Sequence, residues 1–430
     1  MIKLYYKRLF LIVGFIFYVF PVKCFAQNID TLFYEKQKLK RHQKLAVEGH
    51  SFLYGLLRSG SYIKKYNNPV LEAPAVLKDY FYKQKEQIKQ LPKPNYSDSS
   101  EIKLAIVGDI MWLRNNWGNF MDSAVYVKLN ESDLIIGNLE TIIDTTKKVK
   151  SFLPDYRTYN SNKQLLNFLP AKRSILSVAN NHSLDKGIVS LYNTLTLLES
   201  KGIYHNGVKN NTPKLYTEII IKGIKIGFYA CTWGTNNPKA KGIKQLNLIK
   251  GIAPFNYNTI EEQEAEKALK QMEEAGMDFK ILFMHWGYEY EFYPRQNIMK
   301  LAKNLAQAGA DFIIGSHPHV FQPAQIIYTI NDSFNSKHKT TLVNYSLGNF
   351  CTSMYSTETR LGVIEQISLK KESNGKISIT CPQYTFLYNA PHIGKRERKL
   401  LLLSDYIKLY PKEANEEFIK TIKPILNILE

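Results

Sequence analysis

Cysteine is scarce in this chain: four among 430 residues, one of them (Cys24) in the first 26. The remaining three, Cys231, Cys351 and Cys381, are odd in number and not closely paired, which excludes a disulfide framework and a cysteine-based metal site. A Cys351–Cys381 bridge stays open. Long apolar runs are equally rare. The longest, Leu9–Val22, is short for a membrane-spanning helix, and no other run approaches that length. Acidic residues are outnumbered, 38 against 57 Lys and Arg, a formal charge of +19. The basic residues are scattered, not blocked. A solvated basic surface is the simpler reading, and attraction to an anionic polymer or lipid surface the sharper one.

What is present begins with a leader. Lys3, Lys7 and Arg8 precede the apolar run, and small residues before Gln27 suit cleavage after Ala26. We expect residues 1–26 to be a cleaved signal peptide, in preference to a membrane anchor, and the protein to be exported to the periplasm, the envelope or the medium. Removing the leader's four positive charges would lower the formal +19 to +15. Export argues against a nucleic-acid partner. Residues 27–98 are polar and helical in pattern and end in "LPKPNYSDSS", a Pro- and Ser-rich linker. The chemistry lies in 99–395, and 396–430 is expected to be a helical tail.

From Ile102 onward, continuous apolar runs alternate with amphipathic segments. "LAIVGD", "DLIIGNLE", "ILSVANNH", "FKILFMH" and "DFIIGSHPH" read as strands covered on both faces. "EEQEAEKALKQMEEAG" places Ala265, Ala268, Leu269, Met272 and Ala275 on one stripe, with Gly276 to end the helix. "RQNIMKLAKNLAQAG" repeats the plan with Ile298, Leu301, Ala302, Leu305 and Gly309. Lys222-Gly223 and Asn374-Gly375 mark two hairpin turns. These patterns predict an α/β protein with packed sheets and outer helices.

Each of the five strands ends in ligand chemistry: Asp109; Asn138 and Glu140; Asn180, Asn181 and His182; His285; His317 and His319. The carboxyl ends of neighbouring strands form the rim where α/β folds place their sites. Carboxylate, amide oxygen and neutral imidazole suit divalent Mn, Zn or Fe. Taken singly, Asp109 reads better as a helix cap, Glu140 equally well as a surface residue, and His285 could be a satisfied core histidine. Five coincidences of that kind are hard to sustain. Glu289, Arg114 and Asn349 are candidate substrate contacts in the same cleft, and Asp185, three residues after His182, could orient its imidazole on the face of a starting helix.

In order, "GDIMWLR", "GNLET", "NNHSLDKG", "HWGYEYEF", "GSHPHVFQP" and "YSLGNF" resemble the signatures of the CapA family of capsule and poly-γ-glutamate synthesis proteins, within the calcineurin-like metallophosphoesterase superfamily. The resemblance runs from about Ile102 to about Leu369. It implies a four-layer α-β-β-α sandwich and a centre of two divalent ions. Asp109 and His319 would serve one ion, Asn181, His285 and His317 the other, with Glu140 bridging and His182 as general acid. The implied substrate is a phosphoester or an anionic envelope polymer, with a polymer synthase or export complex as partner. Where the superfamily usually carries a histidine two residues after the first aspartate, this chain has Met111, a poor ligand for hard ions. A non-catalytic polymer-binding subunit with a degenerate metal site is the alternative.

Overall fold

The computed structural model describes residues 69–95, 98–113, 117–149, 160–209, 212–236, 240–249, 263–330, 338–373, 375–391 and 398–430. The expected leader, most of the N-terminal extension, and Arg114 lie outside them. Among the described residues, two sheets carry the fold. The first runs β15 (Arg398–Leu402), β14 (Gln383–Pro391), β12 (Leu361–Lys371), β1 (Ile102–Met111), β2 (Leu134–Glu140), β3 (Ser174–Ser177), β4 (Tyr204–Asn206). Short β11 (Asn349–Cys351) joins β1, and β13 (Ile377–Ile379) joins β12. The second runs β5 (Thr217–Ile221), β6 (Ile224–Thr232), β7 (Phe279–His285), β8 (Phe312–Ser316), β10 (His338–Leu347), β9 (Phe321–Ile330).

Strand alternation builds the layers. Leu104 and Ile106 of β1, Leu134 and Ile136 of β2, and Ile175 of β3 meet Phe228 of β6, Ile281 and Phe283 of β7, and Ile314 of β8 in the core between the sheets. The intervening residues Ala105, Val107, Ile135 and Leu176 face outward. They cluster with Val125 and Leu129 of α2 (Ser123–Asn130) and Leu191, Leu195 and Leu198 of α3 (Ile188–Ser200). On the second sheet α4 (Gln263–Glu274) packs on β6 and β7 and α5 (Gln296–Gln307) on β9. The order helix, sheet, sheet, helix is the four-layer arrangement expected.

Both expected helix stripes are buried, with two departures. Ala275 lies past the end of α4 and is exposed, and Leu301 is half-buried. Gly276 and Gly309 have φ of 65° and 108°, ending α4 and α5 in the left-handed region. The Lys222-Gly223 turn has positive φ at both positions, the twist that a two-residue hairpin requires.

The two ends of the described chain complete the sheets. The helical tail expected from 396 begins instead with strand β15, which pairs with β14 at the sheet edge. A leucine run reads equally well as helix or strand, and the open edge decides it. Two helices, α6 (Leu403–Leu409) and α7 (Glu416–Leu426), then follow, and Phe418, Ile422 and Ile425 of α7 join the core. At the other end α1 (Ala75–Ile88) covers edge strand β9: Ile326 N donates to Gln84 Oε1 at 2.9 Å. An edge N–H left bare would invite intermolecular pairing, so this helix protects the sheet. The three described cysteines, Cys231, Cys351 and Cys381, are free thiols, so no Cys351–Cys381 bridge forms.

Candidate metal centre

The inward-facing row of each central strand begins apolar and ends polar. On β2 it reads Leu134, Ile136, Asn138, Glu140, and on β7 Phe279, Ile281, Phe283, His285. On β1 a register shift between Ile106 and Asp109 brings Asp109 level with Asn138, and Met111 level with Glu140. That shift needs close backbone contact. Asp109 N donates to Gly348 O at 3.0 Å, and a Cβ on Gly108 would sit 1.9 Å from the same oxygen. Period-two alternation therefore carries hydrophobic residues into the core and their continuation into the site.

Asp109, Glu140 and His285 offer donor atoms within 4.8 Å of one another, as do Glu140, His317 and His319. Glu140 is common to both groups, and every member is buried. Asn138 sits at the hub. Its Nδ2 donates to Asp109 Oδ1 at 2.8 Å and Glu140 Oε2 at 3.3 Å and lies 3.4 Å from His285 Nδ1. Its Oδ1 accepts from Asn180 Nδ2 at 3.1 Å. His285 Nε2 is 2.9 Å from Asn181 Oδ1, and its Nδ1 2.9 Å from Ser316 Oγ. His319 Nδ1 is 3.3 Å from Asp109 Oδ2 and 3.0 Å from Asn349 Oδ1, while its Nε2 is 3.7 Å from Glu140 Oε1.

Backbone strain marks the same place. His317 and His319 have φ of 97° and 59°, a region that costs a non-glycine residue on the order of 1–3 kcal/mol. Two buried atoms at the centre, Glu140 Oε1 and His317 Nδ1, make no hydrogen bond. Unmatched buried polar atoms are rare and call for an ion or a water. Burial, and then the charge of Asp109, push the Glu140 carboxyl well above its usual range. Burial, and then neighbouring imidazoles, hold His285 and His317 well below theirs, which leaves them neutral with lone pairs available. Burial opposes protonation of His319 too, but the hydrogen bond and charge of Asp109 outweigh it and raise its pKa. Carboxylates that repel one another beside neutral imidazoles, with an unmatched atom on each kind of group, fit a divalent cation.

His182 lies at the rim, its Nδ1 2.6 Å from Asp185 Oδ2 and 3.4 Å from Asn236 Nδ2. The two residues meet in a turn closed by Asp185 N to His182 O, not on the starting helix expected. That helix, α3, begins only at Ile188, after Gly187 at φ 82°. Glu289 is a quarter exposed and 4.0 Å from His319 Nε2. Met111 is buried with Tyr290 and Met354. Asn236, Ser316 and Trp233, whose ring lies 5.4 Å from that of His317, complete the wall and were not singled out from sequence. Asn138 and Asn180 were visible there as strand ends, though not as the network that joins the ligand groups.

The fold and site together define a two-sheet α/β protein with a buried carboxylate–imidazole centre fitted for metal. The chain belongs to the family described as bacterial capsule synthesis protein PGA_cap, whose family model matches residues 103–354. It is 24% identical over 305 residues to the PGA biosynthesis protein CapA of Bacillus subtilis (strain 168), covering 68% of this chain and 74% of that one. It is 25% identical over 293 residues to the capsule biosynthesis protein CapA of Bacillus anthracis, covering 66% and 68%. Similar solved structures include a phosphatase from Mycoplasma pneumoniae, with TM-score 0.38, 11% identity, and 67% of this chain and 94% of that one covered. Another is the Thermus thermophilus sulfate thiohydrolase SoxB, with TM-score 0.34, 12% identity, and coverage of 76% and 62%.

Proposed function

We propose that this capsule-synthesis family member is an exported metal-dependent hydrolase of the phosphoester type, acting in the synthesis or export of an anionic envelope polymer and working beside a polymer synthase or export complex. The observation that carries the reading is the pair of buried ligand groups sharing Glu140, with Glu140 Oε1 and His317 Nδ1 unmatched. Asp109, Glu140, Asn181, His285, His317 and His319 would hold the ions, Mn, Zn or Fe by donor type. Divalent cations so held would polarise a phosphoryl oxygen and make water a stronger nucleophile at neutral pH.

The remaining residues manage the proton. With Nδ1–H of His182 committed to Asp185 Oδ2, the ring is fixed in one tautomer and exchanges protons with a substrate through Nε2. A leaving oxygen within reach of that nitrogen would receive its proton there. Asn236 ties the rim to the loop after β6 by donating its backbone N–H to Asn181 O at 2.9 Å.

Purified protein should contain divalent metal and hydrolyse p-nitrophenyl phosphate or its diester. His182→Ala should lower turnover about 10²–10⁴-fold without removing metal. Protein that binds no divalent metal would overturn the reading. A second reading, a polymer-binding subunit without turnover, is favoured by one observation: Met111, level with Glu140, offers a thioether where a nitrogen or oxygen donor would strengthen the centre. Polymer binding with intact metal and no hydrolysis would select it.

A further inference from the structure

The centre is asymmetric around Glu140. On β1, the register partner of Glu140 is Met111, whose side chain packs with Tyr290 and Met354. The group Glu140, His317 and His319 therefore supplies three donors, none of them from β1. An ion so held needs at least a fourth ligand. Glu289 directly precedes Tyr290, which packs on Met111. His319 Nε2 is 3.7 Å from Glu140 Oε1 and 4.0 Å from Glu289 Oε1, so one nitrogen faces two carboxylates. Both distances are short enough for His319 to share a cation with either carboxylate.

The loop that presents Glu289 is fastened on two sides. Trp286 N donates to Ser316 O at 3.1 Å and Tyr290 N to Pro318 O at 2.8 Å, tying it to the segment that carries His317 and His319. Val70 N donates to Tyr290 O at 2.7 Å and Phe292 N to Val70 O at 3.1 Å, pinning the opposite edge. Tyr290 is held at φ 65°, a conformation that an L-residue adopts only when its surroundings impose it. The loop's other glutamate, Glu291, accepts from Arg295 through both oxygens, at 2.9 and 2.7 Å.

We propose that Glu289 is a metal ligand, completing the site of Glu140, His317 and His319 in place of the donor that Met111 does not supply. This rests on reading the centre as a cation site, and the test separates the two. Full-chain protein is dialysed to equilibrium against Mn²⁺, and bound metal is counted over a concentration series. Wild type should bind two ions per chain, one for each donor group. Glu289→Gln and Glu289→Ala should weaken one of them by at least the roughly 10–100-fold that loss of an outer-shell partner costs, leaving the other in place. Melting temperature without metal should match wild type, because the side chain is partly exposed. Adding Met111→His to Glu289→Gln should restore part of the lost affinity. Wild-type Mn²⁺ affinity in both Glu289 variants would overturn the assignment while the centre stands. Failure of the wild type to bind Mn²⁺ would overturn the metal reading itself.

Discussion

His182 Nδ1 lies 2.6 Å from Asp185 Oδ2, and both side chains are nearly buried. A contact this short fixes which nitrogen keeps its proton. Asp185→Asn preserves the shape and removes the charge-assisted bond. Turnover of a phosphoester should fall about 10²-fold or more, with bound metal unchanged. Metal analysis and kcat measured on one preparation check the split, and loss of metal together with turnover would point to a structural role.

Asn138 is bonded to more of the centre than any ligand candidate, touching Asp109, Glu140 and Asn180. Asn138→Leu should lower metal affinity about 10–100-fold and destabilise the fold by about 1–3 kcal/mol, because buried acceptors lose their donor. Urea unfolding and Mn²⁺ titration read the two effects separately.

Gly108 has no room for a side chain, with Gly348 O at 1.9 Å from an added Cβ. Gly108→Ala must part β1 from the turn that receives the Asp109 N–H. A loss of about 3 kcal/mol or more is expected from such overpacking, seen as a lower urea midpoint.

Away from the site, Glu365 of β12 accepts from Asn344 Nδ2 of β10, linking the two sheets in the core. Glu365 Oε1 and Asn344 Oδ1 have no partner, and a proton on Oε1 would supply the missing donor. Burial pushes this carboxyl from an ordinary 4.5 up to about 8. The folded state therefore holds a proton that the unfolded chain releases above pH 4.5. The contribution of this carboxyl to stability should be fully present below that pH and be lost as pH rises towards 8, by about 1.4 kcal/mol per unit. Glu365→Gln is neutral throughout and keeps an N–H for Asn344. Its melting temperature should exceed wild type at pH 8 and converge with it near pH 4. Parallel curves across that range would contradict the assignment.

The sequence made the ligand groups legible because each inner strand row runs from apolar to polar at its carboxyl end, as Phe283 to His285 does. Motif order named Asp109, Glu140, His285, His317 and His319, and the fold brings all five together. Other features depended on tertiary packing. The partners of Asn138 come from three strands, so no spacing along the chain announces the hub. Asn236 and Trp233 follow β6, and their approach to His182 and His317 is set by how the two sheets close. The strand Arg398–Leu402 reads as helix in the sequence because the pairing that decides it belongs to β14. Spacing puts Asp185 beside His182 on a starting helix, and the structure joins them in a tight turn instead, since both bring residues three apart together.

The most direct test is anomalous X-ray scattering from crystals of the protein grown with Mn²⁺. Peaks should stand within coordination distance of Glu140 Oε1, one of them also touching His317 Nδ1. An ordered centre without anomalous density, its carboxylate and imidazole atoms met only by water, would contradict the account.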